Sequence, residues 1–111
     1  MAPGCSHSSP AAHDVTLTVM PFIIKEYAVY LNQGDTIWGF FTVSGGDKYI
    51  LFSIYDSWGD EVTDTERATE RLDFSYTAMS KGEHALRFFN PPVVSVPLTE
   101  AKQVYLHYRI K

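Results

Sequence analysis

The chain has 111 residues, 45% hydrophobic and 14% aromatic, with 9 Lys plus Arg against 13 Asp plus Glu for a formal net charge of −4. That length supports one domain with one core, burying roughly 65% of its unfolded surface, and that composition excludes a disordered protein. The acidic balance, with no run of Lys or Arg, excludes a nucleic-acid partner, and a single cysteine excludes an intrachain disulfide.

In chain order, Met1 to His13 is Ala, Pro, Gly, Ser and His without a period, which reads as a flexible tail over 1–13 ahead of a domain over 14–111. Pro3-Gly4-Cys5, followed by Ser6-His7-Ser8-Ser9-Pro10, looks like a bacterial lipoprotein junction, with a small residue before a lipidated cysteine and a Ser/Pro-rich tether after it. On that reading Cys5 is a lipidation site, the protein is extracytoplasmic at the cell envelope, and it meets a membrane only through that anchor. The alternative is a free thiol on a cytoplasmic protein. No stretch approaches the ~18–20 apolar residues that span a bilayer.

Val15, Leu17 and Val19 alternate with threonines, a first strand ending at Pro21. Ile23 to Leu31 is a second strand, rich in Tyr and β-branched residues, closed by the turn cluster Asn32-Gln33-Gly34-Asp35. Thr36 to Ser44 is a nearly all-apolar strand, as a central sandwich strand should be. After Gly45-Gly46-Asp47, Lys48 to Asp56 carries Ile50, Phe52 and Ile54 on one face. Ser57-Trp58-Gly59-Asp60 turns the chain into a polar, acidic segment, Glu61 to Glu70, expected to hold a short edge strand and a loop, with one helical turn over Thr65 to Arg71 as an option.

Leu72, Phe74, Tyr76 and Ala78 then alternate with polar residues, and Ser80-Lys81-Gly82 leads into Glu83 to Phe89. This is the plainest pattern in the chain, two half-buried strands joined by a glycine turn. Asn90-Pro91-Pro92 stops it. Val93 to Val96 is a proline-bounded edge strand, and Gln103 to Ile110 is a final strand with Val104, Leu106, Tyr108 and Ile110 facing in. About eight strands with turn signals every 8–12 residues define an all-β protein, an antiparallel β-sandwich of jelly-roll-like form.

Three stretches taken together resemble a GOLD (Golgi-dynamics) domain, the lumenal sandwich of secretory cargo receptors. They are Gly34-Asp35-Thr36-Ile37-Trp38-Gly39-Phe40, then Asp56-Ser57-Trp58-Gly59, then Phe74 to Gly82 with Phe88-Phe89-Asn90. The resemblance spans about residues 15 to 111. It implies the sandwich and a binding role, with no named ligand. The receptors' inter-strand disulfide has no counterpart, since Arg87 and Phe88 stand where those receptors carry a cysteine.

No catalytic constellation is legible: there is no Gly-x-Ser-x-Gly elbow, phosphate loop or metalloprotease helix. Asp56, Asp60, Glu61 and Asp64 fit no Ca²⁺-loop spacing and read as a solvated turn. His84 shares the parity of Leu86 and Phe88, whereas His107 lies opposite Leu106 and Tyr108, so the two face different surfaces and bind no common metal. No cofactor is expected. The aromatics are the better candidates for ligand binding: Trp58 in a turn, Tyr55 beside it, and Trp38 and Phe40 on the strand face opposite Ile37, Phe41 and Val43, a face that is either core or an exposed patch. The expected function is a non-catalytic module that binds a protein, or its own copy, along an edge strand at Val93–Val96 or Val15–Val19. The alternative is a carbohydrate-binding sandwich that stacks a glycan on Trp58.

Overall fold

A computed structural model of the chain describes residues 11–46, 48–63, 65–91 and 100–111. Cys5, His7, Asp47, Asp64 and the Val93–Val96 edge strand lie outside the described residues. Eight strands form: β1 (His13–Val19), β2 (Ile24–Leu31), β3 (Thr36–Ser44), β4 (Tyr49–Tyr55), β5 (Glu66–Thr69), β6 (Arg71–Thr77), β7 (Gly82–Phe89) and β8 (Lys102–Ile110). The polar segment after Trp58 contributes β5 and no helical turn. Its apolar stripe is too thin to stabilise a helix, whereas the strand buries Ala68 beneath β4. β1 begins at His13, a residue assigned to the tail from composition, and its ring stacks on Tyr108 at 4.8 Å.

The first strand pairs with the eighth, the second with the seventh, the third with the sixth and the fourth with the fifth, all antiparallel. The chain is thus one long ribbon of paired strands, rolled so that β3 also meets β8 and β4 also meets β7. The outcome is two four-stranded layers, β1-β8-β3-β6 and β5-β4-β7-β2, joined at one residue pair, Thr69↔Arg71. This is the jelly-roll arrangement of a β-sandwich. Only β4–β5 is a hairpin within one layer. The two strands of the plainest sequence pattern, β6 and β7, fall in different layers, and the Ser80-Lys81-Gly82 turn crosses between them.

Alternation decides which side chains fill the space between layers. Ile37, Phe41 and Val43 of β3 and Val104, Leu106 and Tyr108 of β8 face Ile50, Phe52 and Ile54 of β4 and Leu86 and Phe88 of β7, all buried. Phe41 from one layer packs on Phe52 (5.0 Å) and edge-on to Phe88 (5.1 Å) from the other. At the β1–β2 side the layers are also joined by a hydrogen bond between the Tyr27 and Tyr108 hydroxyls, 3.0 Å apart.

Candidate functional site

Three loops meet at one end of the sandwich, 32–35, 56–63 and 78–81, and hydrogen bonds make them a platform. Gly34 N donates to Ala78 O (2.8 Å), Ala78 N donates to Asp35 O (2.8 Å), and the Ser57 hydroxyl donates to Lys81 O (3.3 Å). Gly82 makes the last contact sterically allowed. Its φ is +143°, and a Cβ there would sit 2.6 Å from the Ser57 Cβ.

The acidic residues of this end organise the turn. Asp56 Oδ1 accepts hydrogen bonds from the backbone N–H of both Trp58 and Asp60, each at 2.9 Å. Glu61 accepts from the Tyr55 hydroxyl (3.1 Å) and the Thr65 hydroxyl (3.2 Å). An Asx-type turn so closed projects the side chain between its anchors, and that side chain is Trp58. Trp58 and Met79, on adjoining loops, are each 77% exposed. Among the described residues no group of three or more His, Cys, Asp or Glu is placed to hold a metal ion.

The four aromatics singled out from sequence occupy three places. Trp58 is at the loop end. Tyr55 is on the outer face of the β5-β4-β7-β2 layer, with the Arg87 guanidinium 3.8 Å above its ring, so one stacking surface is already taken. Trp38 and Phe40 face outward from the β1-β8-β3-β6 layer and are half-buried, not core. Cross-strand rows place Asp14, His107, Phe40 and Asp73 side by side, with Arg109, Trp38 and Ser75 in the next row. All of these except Asp14 line an open groove of about 450 Å³. Phe40 is itself engaged: it stacks on His107 at 5.2 Å and carries the Arg71 guanidinium 4.0 Å from its centroid. Asp14 accepts from Tyr105 at 2.9 Å and pairs with His107, and these two hydrogen bonds, His107's first, hold its carboxyl below the usual 3.8.

His84 and His107 point to opposite faces, as parity requires. His84 is fully buried, its Nδ1 on Gly82 O at 3.0 Å, while His107 lies on the outer groove. Sequence reasoning missed two exposed apolar features. One is Met79, an apolar residue out of phase in a turn. The other is Met20-Pro21-Phe22-Ile23-Ile24, where the alternation of β1 breaks at a proline and four large apolar residues stand 52–60% exposed. That loss of phase was the available signal.

The class this geometry defines is a jelly-roll sandwich whose exposed apolar side chains are carried on loops and an edge. No protein-family model matches the chain, and no curated protein matches its sequence. Solved structures do share its fold. It is similar to Aeromonas hydrophila PliG, a periplasmic lysozyme inhibitor of g-type lysozyme, with a TM-score of 0.64 at 9% identity over 92% of this chain and 88% of that one. It is similar to Salmonella Typhimurium PliG (TM-score 0.57, 15% identity, 90% and 91% covered) and to a mutant of the Escherichia coli PliG (0.59, 14%, 95% and 92%).

Proposed function

We propose that this protein is a non-catalytic binding module that works outside the cytoplasm, and that its partner is a lysozyme of the g type, bound through the Trp58–Met79 end. The observation that carries the reading is the likeness in fold to three PliG inhibitors over nearly the full length of both chains. The loop end supports it. Two exposed apolar side chains stand on a hydrogen-bonded platform rimmed by Asp56, Asp60 and Glu61, a surface suited to a partner with a basic rim. The GOLD-domain resemblance belongs to the same proposal, since it too expects a sandwich that acts through what it binds.

The test is to titrate the protein into g-type lysozyme during turnover of bacterial cell walls. Inhibition that saturates at one equivalent is the expected result, with Trp58→Ala weakening it at least tenfold while the far-UV spectrum stays unchanged. Full lysozyme activity in the presence of excess protein overturns the reading. Attachment through Cys5 is tested separately, by labelled fatty-acid incorporation in cells, which Cys5→Ser should abolish.

A further inference from the structure

Eight large hydrophobic residues are exposed among the described residues, and five of them, Met20, Phe22, Ile23, Ile24 and Tyr30, fall in a single run of the chain. That run is the β1–β2 loop and β2. β2 is a terminal strand of its layer, paired with β7 on one side only. Alternate N–H and C=O groups on its other side are therefore unpaired within the sheet. The strand is eight residues long and holds neither proline nor glycine. The other terminal strands differ. β5 has four residues, β1 turns Asp14, Thr16 and Thr18 outward, and β6 turns out Arg71, Asp73, Ser75 and Thr77. Short length and polar or charged faces are the usual protection of an edge, and among these terminal strands β2, whose charges are Lys25 and Glu26, has exposed Ile24 and Tyr30 beside them.

We infer that β2 is the self-association edge of this protein, pairing antiparallel with β2 of a second copy and joining two four-stranded layers into one eight-stranded sheet. The occupant is a second copy because the strand complements itself. A two-fold axis through Tyr27 opposes Ile24 of each chain to Tyr30 of the other. These are the two exposed large apolar residues of β2, at 52% and 57%, and both are on the outer face. The same register sets Glu26 opposite Ala28, so no like charges meet, and Glu26 keeps its ion pair with Arg87 of its own chain. It also carries Phe22 and Ile23 alongside Leu31 and Asn32 of the second copy, so one symmetric contact covers the strand and its loop. The Trp58–Met79 ends stay free and point in opposite directions. The inference does not depend on what those ends bind.

Light scattering during gel filtration tests it, and a charge swap tests the register. The wild-type chain should elute as a dimer, twice its 12.5 kDa. Ile24→Glu with Tyr30→Glu should elute as a folded monomer, because each Glu then faces another. Ile24→Glu with Tyr30→Lys should restore the dimer. Positions 24 and 30 are ~20 Å apart along one strand, beyond ion-pair reach, so restoration comes only from the second chain. A wild-type monomer up to millimolar concentration overturns the inference. So does a dimer that survives the double-Glu change, or a monomer that floats with phosphatidylcholine vesicles, which would assign the apolar run to lipid.

Discussion

At the scale of single residues, the structure depends on two positions, one steric and one hydrogen-bonded, whose importance is invisible to composition. Gly39 lies where β3 crosses β8, and a Cβ there would fall 2.0 Å from His107 O and 2.7 Å from Tyr108 Cα, both backbone atoms that cannot move aside. Gly39→Ala should therefore lower unfolding free energy in urea by at least ~2 kcal/mol. Asn90 is the other. It is fully buried, its Nδ2 donates to Val19 O (3.1 Å) and Glu100 O (2.8 Å), and its backbone carbonyl accepts from Phe22 N (2.9 Å). It thereby clamps the β1–β2 loop to the β7–β8 connection. That clamp holds Phe22 at φ +65°, the left-handed region that a bulky side chain avoids. Asn90→Ala leaves the buried Val19 carbonyl without its donor and frees the part-buried Glu100 carbonyl, and should cost about 1–2 kcal/mol. Phe22→Gly should do the opposite at low concentration, raising the monomer's unfolding free energy by about 1 kcal/mol as the backbone relaxes, while it weakens self-association. Unchanged monomer stability in Phe22→Gly would mean that the backbone conformation there is not strained.

At the scale of elements, the Tyr27 and Tyr108 hydroxyls join strands of the two layers, and this contact couples stability to pH. Burial first, then the hydrogen bond to Tyr27, pushes the Tyr108 hydroxyl far above its ordinary 10.0. The folded state then holds this proton more tightly than the unfolded one. The stability it contributes is complete below about pH 10 and is lost as pH rises from there toward the folded value. Tyr108→Phe removes one hydrogen bond and should cost about 1 kcal/mol at neutral pH. It should also flatten the fall in the urea midpoint above about pH 10, and an equally steep fall would place the alkaline transition elsewhere. Asp14 works with the opposite sign. Its carboxyl is depressed, chiefly by His107 and then by Tyr105, so its contribution is present above 3.8 and is lost as pH falls through the lower folded value. Asp14→Asn should flatten the acid limb and, because the hydrogen bond to Asp14 also raises the Tyr105 hydroxyl, a part of the alkaline fall as well. Elements of this kind were largely legible in the sequence. β3 has the bounds read from its apolar run, and the inward residues of β4 and β8 are those that alternation chose. The pairing was not legible. Period-2 alternation names the faces of a strand but not its neighbour, so β6 and β7 read as companions while their partners lie far back in the chain, at β3 and β2. Of the candidate site, the exposed end was legible only where an aromatic coincided with a turn, as at Trp58. Met79 and the Met20–Ile24 run escaped because an exposed apolar residue in a loop looks, in one sequence, like core.

At the scale of the molecule, the rolled ribbon sets the order in which contacts can form. Among the described strands only β4 and β5 are consecutive in sequence and paired within one layer, with Val62 N of their connection bonded to Ile54 O of β4 at 2.9 Å. Apart from the single Thr69↔Arg71 pair, the other pairings bring together strands far apart in sequence, ending with β1 on β8, where Asp14 meets His107 across 93 residues. Each later pair closes a longer loop, and closure entropy must be offset before the pair stabilises anything. Such a topology should fold on a millisecond-to-second timescale, and its nucleus should lie near the closed end of the ribbon. Ile50→Val and Ala68→Gly, in the β4–β5 pair, should then slow refolding by most of their equilibrium effect. Leu17→Ala and Val104→Ala, paired on β1 and β8, should leave refolding almost unchanged and accelerate unfolding instead. Stopped-flow refolding of the four variants in urea separates the two groups. If the β1–β8 variants slow refolding as much as the β4–β5 variants do, the ribbon does not zip from its closed end, and the long-range edges form with the nucleus.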